Sequence, residues 1–123
     1  MKIYYAHSMA LYNTPQEAAD VRLLKQLGFE VFNPNQPFVQ QRVQQAKAQG
    51  VGNYMATVFN PIMDDCQAIA FRAHKDNRIG AGVWHEIKYM TGQGKPMIEL
   101  PHLLPDRPLS VEATRAYIRA NAV

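Results

Sequence analysis

The sequence has one cysteine and one tryptophan in 123 residues, and no apolar run near the roughly 18 residues of a membrane span. Each shortage excludes something. Cys66 alone cannot close an internal disulfide, so a disulfide-stapled miniature is ruled out and a reducing, cytoplasmic compartment is expected. The opening KIYYA reads as a strand rather than a leader, so neither a signal peptide nor a membrane span is expected. No Walker loop or G-x-G-x-x-G is present, which removes the usual routes to ATP hydrolysis and NAD binding. No histidine or cysteine cluster has metal-ligand spacing, so no metal or organic cofactor is expected. Lysine and arginine outnumber aspartate and glutamate by 13 to 10, a net +3 scattered in ones and twos. That scatter suits a site for small anions, not a nucleic-acid polymer, which needs a clustered basic stripe.

The hydrophobic fraction of 47% is enough for a core, and the length is that of a single domain over 1–123. Lys2 to Ala6 reads as a strand, and His7-Ser8-Met9 as the loop after it. Thr14, Pro15 and Glu17 form a T-P-x-E helix start, with Ala18, Val21, Leu24 and Leu27 as the apolar face and Gly28 as the stop. Phe29 to Phe32 is a second strand, so the intervening helix is a crossover and the two strands are parallel. A glutamine-rich helix follows over Pro37 to Gln49, with Phe38, Val43 and Ala46 as its weak apolar side. Tyr54 to Phe59 is helical, and Asn60-Pro61 opens a short turn. Ala68 to Phe71 is a continuously apolar strand, as buried parallel strands are. A helix from about Gly82 to Met90, a strand over Pro96 to Leu100 and a Ser110-capped helix to Ala120 complete the chain. Strands of about five residues alternating with helices specify a three-layer α/β/α sandwich around a parallel sheet, flavodoxin- or Rossmann-like.

In such sheets a ligand sits beyond the carboxyl ends of the strands, where the strand order reverses. The loops to inspect are therefore His7-Ser8-Met9, Asn33 to Asn35, Arg72 to Gly82, and Pro101-His102. The third of these carries Gly80 and Gly82, which allow close backbone approach, and leads into a helix with Glu86 in its first turn. A carboxylate near a helix N-terminus is stabilised as the anion, so Glu86 is expected to be charged at neutral pH. A charged carboxylate at a crevice mouth can attack an electrophilic carbon, although glutamate is also common in first turns for dipole reasons alone.

The segments KIYYAHS, GFEVFNPN, AIAFR, GAGVWHEIKYM and GKPMIEL, in that order, resemble the nucleoside 2-deoxyribosyltransferase superfamily, which includes nucleotide N-glycosidases. The likeness spans roughly residues 2 to 100. Its most specific part is a glycine four positions before a glutamate, on a helix followed by G-K-P and a strand. The resemblance implies that Glu86 is the nucleophile that takes the deoxyribose carbon, that Tyr4 hydrogen-bonds it, and that His7, Ser8 and Met9 bind the sugar or a 5′-phosphate. It also implies a deoxynucleoside or deoxynucleoside monophosphate as substrate, and a homo-oligomer whose neighbouring subunit completes the site. The glutamine-rich segment and the C-terminal helix are the candidate contacts. Two positions depart from the family pattern: Gly80 and Gln67 stand where the transferases carry aspartates.

Residue chemistry supplies the remaining candidates. Asp76, His74 or His85 could protonate the leaving base, with Asp76 the one chosen; each also reads as a solvated polar residue. Arg72, directly after the third strand, could fork onto a phosphate, or form a surface ion pair with Asp76 or Glu86. Trp84 lies off the Glu86 face and belongs to packing or a subunit contact, while Tyr89 and Met90 share that face. The competing expectation is a non-catalytic nucleotide-binding or sensing module on the same fold. A phosphoacceptor receiver domain is excluded, because His7 and Ser8 stand where acidic residues would be required.

Overall fold

The computed structural model describes residues 1–101 and 108–121. Four strands, β1 (Lys2–Ala6), β2 (Glu30–Phe32), β3 (Ala68–Phe71) and β4 (Met97–Glu99), form one sheet in the order β2-β1-β3-β4. Every pairing is parallel. Chain order reverses between β1 and β3, where Tyr4 pairs with Ile69 and Ala6 with Phe71. The helices are α1 (Pro15–Gln26), α2 (Pro37–Ala48), α3 (Asn60–Asp64), α4 (Ala81–Gly92) and α5 (Val111–Asn121), with a π-helical turn at Met55–Phe59. The expected three-layer α/β sandwich is the observed one, and no helix among the described residues is long and apolar enough to cross a membrane.

The two-residue period of β1 divides its side chains between the layers. Ile3 and Tyr5 join Leu24 of α1, Ala68, Ala70 and Leu100 on one face. Tyr4 and Ala6 join Met63, Cys66, Ile69 and Phe71, with Val83, Ile87 and Met90 of α4, on the other. Consecutive tyrosines on β1 thus serve opposite faces, which decides what each can do.

Helix α1 starts as its sequence indicates, with the Thr14 hydroxyl accepting from the Glu17 amide at 3.3 Å. The reciprocal half of the box is displaced: Glu17 Oε1 accepts from the amide of Asn13, not Thr14. Asn13 is left-handed at φ 63°, which turns its amide toward the helix. The buried stripe of α1 also differs from expectation. Glu17, Asp20 and Leu24 are buried, whereas Ala18 and Leu27 are exposed. Periodicity placed the apolar residues inward, but the strand ends supply partners for two carboxylates, and paired carboxylates take the inner positions. On α2 the buried residues are Val39 and Ala46, with Phe38 exposed. Phe38 lies edge-on to Phe32, whose ring stacks on Tyr4 at 5.9 Å. Helix α5 is capped by Ser110, whose hydroxyl accepts from the Ala113 amide, and buries none of its residues.

Candidate functional site

Glu86 lies on the sheet-facing side of α4, and only 6% of it is exposed. The helix begins at Ala81 on the uncapped Gly80, one residue earlier than expected, so Glu86 sits in the second turn rather than the first. No acid lies in the first turn. This corrects the expectation of a charged group held by the helix terminus. Burial dominates and pushes the Glu86 pKa up to about 7, with Tyr4 as the opposing influence. No salt bridge among the described residues reaches it.

Tyr4, fully buried on β1, faces that carboxyl. Burial raises the phenol's pKa well above its usual value, and the Glu86 charge adds to the rise. Its hydroxyl makes no well-formed hydrogen bond among the described residues, yet it lies close enough to Glu86 for a loose hydrogen bond between them to be the influence that opposes the Glu86 rise. Buried hydroxyls without partners are rare and mark strain, a hidden ligand position or a reactive site. The two groups are thus adjacent and coupled, at a separation short of a well-formed hydrogen bond.

Tyr12, which follows the 3-10 turn Met9–Leu11, is a second phenol near the site and one the sequence reading missed. It is half-buried, and its pKa is pushed up to about 12 by burial, then by the charges of Glu86 and Glu17, with Gln40 of α2 opposing. Its ring lies 5.0 Å from that of His7. The signal available in sequence was only an aromatic six residues after the first strand, which many loops contain.

His7 is buried, with both ring nitrogens engaged. Nδ1 lies 3.1 Å from the Tyr5 carbonyl, which can only accept, so Nδ1 donates. Nε2 lies 2.7 Å from Glu17 Oε2. The ring stacks on Tyr5 at 3.8 Å. Burial would raise the Glu17 pKa, but His7, Asn35 and the Asn13 amide outweigh it and hold the carboxyl below its usual range. Asn35 Nδ2 reaches both Glu17 oxygens, tying the loop after β2 to α1. Ser8 caps the 3-10 turn through the Ala10 amide, and Met9 is exposed.

Arg72 forms neither of the surface pairs considered from sequence. It follows Phe71 and so turns to the α1 face, away from Glu86. There Nε and Nη2 fork onto Asp20 at 2.6 and 2.7 Å, and Nη2 also donates to the Pro101 carbonyl at 2.8 Å. Asp20 further accepts from Tyr5 Oη at 2.5 Å and Gln16 Nε2 at 2.8 Å. His102, in the loop expected after the fourth strand, lies outside the described residues.

Asp76 sits in an exposed turn, where its carboxylate accepts from the Arg78 amide at 3.1 Å and lies 3.6 Å from that arginine's Nε. His85 bonds Asn60 Oδ1, and Tyr89 bonds Asp64, both at the α3–α4 surface. A Cβ at Gly80 would meet His74 at 3.5 Å and one at Gly82 would meet Met55 at 3.9 Å, both ordinary contacts. The fold therefore does not itself require glycine at either place. Trp84 is exposed, Met90 is core, and Cys66 is buried with its thiol pushed up to about 11 by that burial. An open groove of about 210 Å³ between α2 and the π-helical turn contains none of these residues.

The structure therefore brings Tyr4 and Glu86 together on one face of the β1–β3 switch point, with Tyr12 near enough to feel the Glu86 charge. It sets Tyr5, Asp20 and Arg72 on the other. Comparison with protein-family models, curated proteins and solved structures gives no match.

Proposed function

We propose that this protein cleaves or exchanges the N-glycosidic bond of a deoxynucleoside or deoxynucleoside monophosphate. Glu86 attacks the anomeric carbon, the C–N bond breaks, and its electron pair leaves with the base, which takes a proton from solvent or an acidic group. Water or a second base then attacks the glycosyl ester from the side the first base left, releasing Glu86 with net retention. A carboxylate facing the cationic transition state on both passes supplies the electrostatic stabilisation, and the sequence resemblance points to the same residue.

The observation that carries this reading is the pairing of a buried carboxyl, without a cation among the described residues, with a buried phenol that makes no well-formed hydrogen bond among them. A structural carboxyl would be expected to have acquired a cation or several donors, as Asp20 has. A ligand hydroxyl entering between Tyr4 and Glu86 could supply the missing bonds. Because the attacking form is the carboxylate, kcat/KM rises with pH through about 7, the pKa of Glu86 in the free protein. We place this chemistry in a cytoplasmic homo-oligomer that uses the exposed residues of α2 and α5, including Tyr117 and Ile118, as contacts.

The test is a panel of deoxynucleosides and their monophosphates with free base read by chromatography, using the wild type and Glu86→Gln. A 2-fluoro sugar analogue with intact-mass detection traps the ester on the Glu86 peptide. Base release lost in the variant, with an adduct in the wild type, is the expected result. The second reading, a sensing module, is favoured by the solvent-exposed position of Asp76 and by Gly80 in place of an aspartate. It takes over if nothing in the panel is cleaved and no adduct forms.

A further inference from the structure

His7 stands in the loop where a ligand contact was expected, yet its geometry leaves no nitrogen for one. Nδ1 is committed to the Tyr5 carbonyl and Nε2 to Glu17, and the ring lies between the rings of Tyr5 and Tyr12. A ligand could reach either nitrogen only by displacing a buried partner. What His7 does control is Tyr12. The backbone of Tyr12 is set by the 3-10 turn, with its amide bonded to the Met9 carbonyl at 3.1 Å, and Thr14 Oγ1 is anchored on the Leu11 carbonyl at 2.6 Å. The direction of the Tyr12 ring is set on one side by the His7 imidazole.

From this packing we infer that His7 is a positioning residue that holds the Tyr12 ring as a wall of the Glu86 site, and that the Tyr12 hydroxyl is the wall's contact with the pentose. Glu17 and Asn35 belong to the same device, because they hold the imidazole from α1 and from the loop after β2. Three features support the assignment. Tyr12 is half-buried, so part of it borders solvent as a pocket wall must, whereas Tyr4 and Glu86 are buried. The Glu86 charge adds to the burial that raises the Tyr12 phenol's pKa, so the two groups are within electrostatic reach of each other. Finally, the His7 ring is anchored at both nitrogens and stacked on Tyr5, so it is a rigid support.

The assignment of a pentose rests on the proposed glycosidic activity; the coupling of His7 to Tyr12 does not. Tyr12→Phe and His7→Gln are each expected to raise KM for a cleaved deoxynucleoside monophosphate about three- to tenfold, more than they lower kcat, as loss of one neutral hydrogen bond to a ligand does. The double variant should lose little beyond the larger single loss, because both changes act on one contact. Multiplied losses overturn the inference.

An arm without turnover separates the two claims. In carbon-13 tyrosine-labelled protein, His7→Gln should move the Tyr12 ring resonances, and leave those of Tyr117 on exposed α5 in place. If the wild type neither cleaves nor binds any compound of the panel, the glycosidic reading falls, and an unmoved Tyr12 signal overturns the positioning role as well. Should His7→Gln fail to fold by circular dichroism, Glu17→Ala keeps the ring and removes its Nε2 anchor. A Tyr12 resonance that neither shifts nor broadens in that variant overturns the inference.

Discussion

Replacing Tyr4 by phenylalanine should stabilise the free protein while damaging its chemistry. The phenol oxygen is buried and makes no well-formed hydrogen bond among the described residues, so the folded state bears a desolvation cost of up to about 1–3 kcal/mol that the unfolded chain, hydrated at that hydroxyl, does not. Tyr4→Phe keeps the ring, its stacking on Phe32 and its place in the core, and removes only the costly atom. Part of the gain is lost to the small void left by the oxygen, so a net stabilisation of about 1 kcal/mol is expected, or roughly 4 °C in Tm for a chain of this size. The chemistry moves the other way. A phenol that donates to Glu86 as the ester forms and breaks contributes a charge-assisted hydrogen bond of about 1.5–3 kcal/mol, so its loss lowers base release roughly 10- to 150-fold. Removing the one group that opposes the upward shift of Glu86 should also move the rise of the pH–rate profile to higher pH. The measurement is paired: urea unfolding of both proteins at pH 7, and base release on the best substrate of the panel. A Tyr4→Phe protein less stable than wild type by 1 kcal/mol or more would refute the reasoning. It would mean that the hydroxyl is satisfied in the native state.

Three further outcomes follow from the same contacts. Glu86 titrates at about 7 folded against an ordinary 4.5, so its contribution to stability is fully present below pH 4.5 and is lost as pH rises through 7. The difference, 7 − 4.5 = 2.5, corresponds to about 3 kcal/mol; Glu86→Gln should be more stable than wild type by up to that much at pH 8, with the advantage vanishing toward pH 4, by urea unfolding. Asp20→Asn leaves the Arg72 guanidinium buried without its counter-charge, and should cost about 3–5 kcal/mol, whereas removing both charges in Asp20→Leu/Arg72→Met should cost less than Asp20→Asn alone. Cys66 is buried with its thiol raised to about 11, so native protein at pH 8 should resist iodoacetamide and react fully in 6 M guanidinium, by mass shift; rapid native labelling would contradict the burial.

What was legible in the sequence was whatever is local or periodic. The alternation of strand and helix required parallel crossovers, and the third strand, Ala68–Phe71, could be placed to the residue because its apolar run is bounded by polar groups. Thr14 announced its helix through a cap that needs only a three-residue spacing. The pairing of Arg72 with Asp20 spans 52 positions and was not legible, since nothing in either neighbourhood says which acid a distant guanidinium will meet. The inner face of α1 was misread for the same reason. Periodicity ranks residues by hydropathy, and it puts a glutamate and an aspartate outside unless their partners are already known. The protonation of Glu86 was misread because position along a helix can be counted from sequence, whereas desolvation depends on what the sheet and α4 enclose. His7 failed in the opposite sense, as a loop histidine that looked accessible and is held at both nitrogens.

The two faces of the switch point differ in how their polar groups are settled, and that difference is the reason for assigning chemistry to one of them. On the α1 face, Asp20 receives four hydrogen bonds from Arg72, Tyr5 and Gln16, and Glu17 is saturated by His7, Asn35 and the Asn13 amide. A carboxylate so supplied is a poor nucleophile and has no free lone pair facing an open space. It serves instead to fix the strand ends and the Tyr12 wall. On the α4 face, a carboxyl of intermediate protonation meets a phenol that makes no well-formed hydrogen bond among the described residues. Both arrangements are built from the same residue types on adjacent positions of β1, Tyr4 and Tyr5, separated by the pleat. Folding satisfied one of them completely and left the other short of well-formed hydrogen bonds. A side chain that no internal partner stabilises, on an element otherwise packed into the core, is where a ligand gains most by binding.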